Sequence, residues 1–195
     1  MRQHLHRFQW FYFTFLAIIF VGLSLYYVVR IGYYPVVVVN GNLILARDFS
    51  DEYAAAYYYY ARSADPKEVD VRSNNFQKEL RRAVMQELIE KSLVHAGLES
   101  KIGDQAEALV SGKIGEQNLD PQKLEEAARL LYGMTAKDLL RLVLVPRAER
   151  EILEADLISE NKKIDQWLSS AGKTAKVFII TPEFYWEQGV VKSRD

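Results

Sequence analysis

Four consecutive tyrosines, Tyr57 to Tyr60, are the side chains whose type and spacing most invite a functional reading. An exposed tyrosine offers a large, rigid contact surface at low entropy cost, as peptide-binding surfaces require. At 100° per residue the four cannot share one helix face. Phe49, Tyr53, Ala56, Tyr57 and Tyr60 fall within one stripe, whereas Tyr58 lies about half a turn away. Tyr57, Tyr58 and Tyr59 are therefore the candidate peptide-binding residues, with Tyr58 expected to face a cleft shared with the long helix that follows. The competing assignment is core packing plus one spare ring, since isolated exposed apolar side chains are common. A second aromatic group, Phe184, Tyr185 and Trp186 in TPEFYWEQG, sits outside any clear helix. Sheet cover or docking at a membrane interface is the expected role of that group, ahead of ligand binding.

Catalytic and metal-binding patterns are not supported. Gly172-Lys173-Thr174 matches the end of a phosphate-binding loop, but that motif needs a glycine five positions earlier, where this chain has Trp167. His95 is the only histidine beyond the N-terminal tail, with no second histidine at ligand spacing, so a satisfied surface histidine is expected. Glu87 and Glu90 alternate with basic residues as solvated helix faces do. The 195 residues include no cysteine, which removes disulfides, thiolate metal sites and cysteine nucleophiles. A net charge of -1 offers no basic stripe for a phosphate backbone. The expectation is a protein with no enzymatic activity, no cofactor, no metal, no nucleic-acid partner and no small-molecule substrate.

The elements that must position the aromatic residues begin with Trp10 to Val29, an uncharged stretch of the length a helix needs to cross a hydrocarbon core. Its twelve Phe, Leu, Ile and Val residues sum to about -4 to -7 kcal/mol toward insertion. Trp10 and Tyr12 at one end, with Tyr26 and Tyr27 at the other, suit the two interfaces. The alternative is a cleaved signal peptide with Gly22-Leu23-Ser24 as the site, but the apolar run continues to Val29 and would leave a greasy new terminus. Arg2 and Arg7 precede the span and Arg30 follows it, a mild bias toward a cytoplasmic N-terminus and a domain outside the cytoplasm. The stretch from Arg30 to Pro35 is so short that, even extended at about 3.4 Å per residue, it holds that domain within about 20 Å of the bilayer.

After the span, PVVVVNGNLIL reads as a hairpin turning at Asn40-Gly41, residues that tolerate positive φ. Ala46 to Arg62 is helical in period, and Ser63 to Asn74, with Asp65-Pro66, breaks it. From Asn75 a long helix presents Leu80, Val84 and Leu88 beside Met85, Ile89, Leu93 and Ala96, a wide buried face, and Gly97 and Gly103 bracket the helix's end. A shorter helix is expected over Asp104 to Ile114. Asp120-Pro121 marks a cap and first turn for a helix with Leu124, Ala127, Ala128 and Leu131 on one face, stopped by Gly133. Thr135 and Asp138 resemble a capping box for the next helix, which Pro146 should kink or break. One further helix runs from Arg147 toward Ser169, with Gly172 to end it, and Lys176 to Ile180 is a last short strand.

This order resembles the SurA N-terminal-domain family of peptide-binding chaperones, whose relatives include the PrsA and PpiD foldases. The similarity rests on VVVNGNLIL leading into a helix with Phe49, on LRRAVMQELIEKSLVHAGLESKIG, and on LYGMTAKDLL opening a later helix. It implies a mostly α fold in which long helices pack around a small sheet built from both ends of the domain. The hairpin would supply the first strands and Lys176 to Ile180 the last. The parvulin prolyl-isomerase domain of larger relatives has no room between Val145 and Trp167, so isomerase activity is not implied.

The expected organisation is a cytoplasmic basic tail (1–9), a transmembrane helix (10–29), a short linker (30–35), a SurA-N-like helical domain (36–181) and a C-terminal tail (182–195). The expected function is a membrane-anchored, extracytoplasmic holdase module for unfolded or nascent polypeptides, with the lipid bilayer as its other partner. The alternative is a structural adaptor holding one fixed partner protein at the membrane.

Overall fold

A computed structural model describes residues 2–65 and 69–194. The turn expected at Asp65-Pro66 runs into residues outside that description, as do the side chains of residues 1–9 and of Tyr12. The chain is mostly helical. Helix α1 (Arg2–Arg30) leads to strands β1 (Pro35–Val39) and β2 (Asn42–Leu45), then α2 (Ala46–Ser63) and α3 (Asn74–Ile102). Four helices follow: α4 (Ala106–Glu116), α5 (Pro121–Ala127), α6 (Ala136–Leu139) and α7 (Val145–Ser159). Helix α8 (Ile164–Thr174) leads to β3 (Val177–Ile179), β4 (Phe184–Glu187) and β5 (Val190–Ser193). Within α1, Phe13–Arg30 is apolar and long enough to cross a membrane, and no part of it is buried by the rest of the chain.

The sheet joins the two ends of the domain, as the pattern of apolar runs implied. Asn40 and Gly41 both take positive φ, the conformation that closes a two-residue hairpin. β3 pairs antiparallel with β1, giving the strand order β2-β1-β3. Bonds just outside β3 extend the pairing: the Asn40 amide donates to Lys176 O at 2.9 Å and the Ile180 amide to Val36 O at 2.9 Å.

Helix α3 is the spine. Its first half packs Leu80, Val84, Met85, Leu88, Ile89 and Leu93 against the inner face of the sheet. Its second half, through Val94 and Leu98, enters a separate cluster with Ala106, Val110, Ala148, Leu153, Leu157 and Ile164. The buried stripe thus rotates onto Val94 and Leu98, where even periodicity had placed Ala96.

Several sequence expectations are corrected by tertiary packing. Gly97 lies inside α3, with the Trp167 ring packed over it, and only Gly103 ends the helix. The single helix expected from Arg147 to Ser169 is two, separated by a turn with Asn161 at φ 57°. Gly172 lies inside α8 against the Gly189 backbone, and the helix runs on to Thr174. Within the stretch expected as a tail, residues 184–193 form a second hairpin, and Phe184 and Val191 are buried in the sheet-side core with Trp186 packed against it. The aromatic group in TPEFYWEQG is thereby sheet cover.

Pro146 does not break its helix. The chain passes through a π-helical turn, Leu140–Leu144, directly into α7. Because Pro146 has no N–H, the Leu142 carbonyl loses its donor four residues on. Lys91 replaces it: its Nζ donates to Leu142 O at 2.9 Å and to Glu52 Oε1 at 2.5 Å, with Glu87 at 3.1 Å. Glu52 is the one charged residue among the buried side chains described, 8% exposed. One ammonium therefore ties α2, α3 and the turn before α7. Burial pushes the Glu52 carboxyl from 4.5 up to about 7, Lys91 pulling against it and Glu87 and Asp48 adding to it.

Phe184→Ala should cost about 3 to 5 kcal/mol, and deletion after Ala175 should abolish a cooperative melt, because the loss of Ile179, Phe184 and Val191 rivals a typical domain's whole stability; an unchanged melting curve for the deletion refutes closure of the sheet. Between pH 4.5 and 7 folded Glu52 holds a proton that the unfolded chain has released, so its contribution to stability is full below 4.5 and is lost as pH rises through about 7. Urea titrations across that window should show the slope flattened in Glu52→Gln. Lys91→Ala should cost about 3 to 5 kcal/mol, and more at pH 8 than at pH 5, since the carboxylate is then charged and unpaired.

Candidate functional site

The face of α2 turned away from the sheet carries Asp51, Ala54, Ala55, Tyr58 and Arg62, at i, i+3, i+4, i+7 and i+11. Opposite it stand a second π-helical turn, Ala128–Tyr132, followed by Gly133, Met134, Thr135, Asp138 and Leu142. Between them lies an open cleft of about 590 Å³. The two alanines make its floor low, and Tyr58 and Leu142 make its walls apolar.

Local caps hold the opposite wall. Asp120 accepts from the Gln122 amide at 2.9 Å and starts α5, with Pro121 in the first turn. Glu125 accepts from the Ala136 amide at 2.8 Å, and Thr135 Oγ1 accepts from the Asp138 amide at 3.2 Å. Thr135 also donates to Asp138 Oδ2 at 2.7 Å, so the expected capping box closes through the hydroxyl. The Ala136 amide, then Arg129, hold Glu125 below the usual carboxylate range, and the Thr135 hydroxyl, then Arg141, do so for Asp138. Arg141 further bridges to α2, donating to Asp48 at 2.6 Å and Asp51 at 2.7 Å.

The π turn changes which residues α5 presents. Leu131, expected on the buried face with Leu124, Ala127 and Ala128, is exposed, and Ala128 alone of the four is fully buried. The extra residue in the turn swings Tyr132 toward α2. Gly133 then takes φ 66°, and a Cβ there would stand 2.8 Å from the Tyr58 ring.

The three candidate tyrosines are divided. Tyr57 packs on the sheet-side core and stacks with Tyr53 at 6.2 Å between ring centroids. Tyr58 lines the cleft, half-buried; its hydroxyl accepts from Arg62 Nη1 at 2.6 Å, and the guanidinium stands 5.0 Å from the ring centroid. Arg62 Nη1 also donates to Leu130 O at 3.2 Å, pinning α2 to the π turn. Tyr59, 40% exposed, stacks on Tyr132 at 5.8 Å with the rings 20° from parallel. The cleft is therefore shared with residues 128–142, in place of the long helix expected. Tyr60, expected to face the core, is largely exposed and meets Phe76 edge-on at 5.6 Å.

Sequence reasoning missed Tyr132, Arg62 and the paired Glu52 and Lys91. Arg62 stood four residues after Tyr58, a visible signal; the others depend on elements far apart in the chain. His95, as expected, is a partnered surface residue, with Nδ1 2.9 Å from Glu149 and Nε2 3.3 Å from Glu99. Among the described residues no cluster of His, Asp and Glu is arranged to hold a metal ion. The cleft's carboxylates are taken up by caps and by Arg141, so the site presents aromatic and aliphatic surface with polar ends.

Gly133→Ala should cost about 1 to 3 kcal/mol, from the left-handed φ and from the Tyr58 ring together. The same substitution in a Tyr58→Ala background should cost measurably less; equal costs in the two backgrounds would show that the ring does not press on this position.

In comparisons with known proteins, no curated protein and no solved structure matches the chain. A family profile described as the SurA-like N-terminal domain matches residues 1–103. The matched stretch runs from α1 to the end of α3, so it includes the α2 wall of the cleft and stops before the wall formed by 128–142. With more than half of its length matched, the chain belongs to the SurA-like N-terminal domain family.

Proposed function

We propose that this protein is a membrane-anchored module that holds unfolded or assembling polypeptides in the cleft between α2 and residues 128–142, without catalysing a reaction. Family membership supports a chaperone-type or peptide-binding role. The observation that carries the reading is the cleft-lining stripe of α2: exposed Ala54, buried Ala55 and half-buried Tyr58 lie along the open cleft beside the stacked rings of Tyr59 and Tyr132. Small floor residues flanked by rigid aromatics suit an apolar side chain of any client, and binding energy on such surfaces concentrates in a few aromatic anchors. The stretch where larger relatives of the resemblance carry an isomerase is occupied here by α7 and the first turn of α8, which supports binding without isomerisation.

In this reading α1 crosses the membrane, with residues 1–9 in the cytoplasm and the domain outside it. The length and apolar character of Phe13–Arg30 support an anchor. The flanking arginines support the orientation.

The full chain in lipid nanodiscs should delay aggregation of several unrelated unfolded proteins, such as reduced α-lactalbumin and heat-unfolded luciferase. Tyr59→Ala should weaken client binding roughly tenfold with little change in melting temperature, because its ring is at the rim. Client affinity equal to wild type would move the site elsewhere. Capture of one folded partner, with no protection of unfolded clients, would favour the adaptor.

A further inference from the structure

An antiparallel sheet with one face on a core usually alternates apolar and polar side chains, the polar ones facing water. The sheet β2-β1-β3 does not. Val37, Ile44 and Ile179 point inward and are buried. The alternate positions, Val38, Leu43, Leu45, Phe178 and Ile180, are apolar too. Leu43, Val38 and Phe178 form one cross-strand row, Val38 being paired with both of the others. Phe178 is 69%, Leu43 59% and Ile180 46% exposed. Among the described residues no helix buries Phe178, Leu43 or Ile180.

What adjoins the face is the end of α1. The Tyr33 amide donates to Val28 O at 3.0 Å and the Gly32 amide to Val29 O at 3.2 Å, while Gly32 takes φ 71°. This pair of bonds is the Schellman motif, which stops α1 and turns the chain. Arg47 N then donates to Gly32 O at 3.0 Å, and Ala46 N to Tyr34 O at 2.9 Å. Residues 30–35, the short linker of the sequence reading, are thus an ordered turn bonded to the start of α2. The Pro35–Leu45 end of the sheet is attached to that turn, and Ile180 lies at the same end. The Leu43–Val38–Phe178 row is two residues farther along, about 7 Å. Tyr33 and Tyr34, both exposed, sit in the chain between α1 and the sheet, and tyrosine is a residue type that collects at membrane interfaces.

We infer that the outer face of the β2-β1-β3 sheet lies against the headgroup region of the bilayer that α1 crosses, with Phe178, Leu43 and Ile180 as its lipid contacts. The inference rests on the anchoring role proposed for α1. The turn at Gly32 brings the apolar face within reach of the lipid surface, and residues of interfacial segments enter such surfaces by about 5 to 10 Å. An uncovered apolar sheet would otherwise invite edge or face association between copies. The bilayer is the cover that the covalent connection supplies.

The absence of native cysteine makes the test direct. Nitroxide labels at Phe178→Cys, Leu43→Cys, Ile158→Cys and Ile18→Cys would be compared in the full chain reconstituted into vesicles of phosphatidylcholine and phosphatidylglycerol. Their relative accessibility to oxygen and to a water-soluble nickel chelate reports depth. Labels at 178 and 43 should favour oxygen several-fold more than the label at 158, on the exposed side of α7. A lipid-buried label at 18 with water-like labels at both 178 and 43 overturns the docking while leaving the anchor intact. A water-like label at 18 overturns the anchor, and the docking with it. Dipolar broadening at 178 that disappears on dilution with unlabelled chain assigns the face to a second copy and also overturns the inference. Melting curves matching the unlabelled chain establish that each variant is folded.

Discussion

The domain turns on one half-buried ammonium. Lys91 sits where α2, α3 and the entry to α7 meet, and each partner it satisfies would be costly alone. Glu52 is a buried carboxyl group, and the Leu142 carbonyl is orphaned by Pro146. Either group without a donor would cost about 1 to 3 kcal/mol or more, so the three form a set that exists together or not at all. The consequence is positional. With the π turn before α7 held against α3, residues 128–142 stand across from α2 at the distance of an open cleft.

The cleft's shape follows from two local departures from regular helix. An α-helical α5 would have kept Leu131 inward and left Tyr132 elsewhere, whereas the π turn exposes Leu131 and brings Tyr132 to Tyr59. Gly133 then accepts a conformation that a residue with a Cβ resists and lets the Tyr58 ring approach. π turns are rare and collect at functional sites. Here both of them border the same surface.

The sheet has a different economy of contacts. Its central strand is made early in the domain and its partner β3 some 140 residues later, so the sheet-side core stays incomplete until the end of the chain arrives. The second hairpin finishes that core with Phe184 and Val191. On its outer face the sheet continues the apolar character of α1. The two faces of one small sheet thereby serve two environments, the protein interior and, on the inference drawn above, the lipid surface.

Sequence alone determined the features that depend on neighbours in the chain. The apolar length of α1, the Asn40-Gly41 turn, the caps at Asp120 and Thr135, the stop at Gly133 and the breadth of α3's buried face all follow from rules with a reach of a few residues. The family was legible for the same reason, because element order and spacing survive as a linear pattern. The pairing of β1 with β3 was legible too, since two short apolar strands would otherwise be lone edges. Tertiary structure decided what depends on which surfaces meet. Gly97 and Gly172 look like helix stops until Trp167 and Gly189 are seen to pack on them, and Glu87, Glu90 and Lys91 look alike until one of them finds Glu52. Tyr58 was correctly set apart from the core stripe, but the wall opposite it was not, because a helical period gives a direction and never the identity of what lies there. That identity is set by long-range packing, to which the spacing of residues along the chain carries no measure.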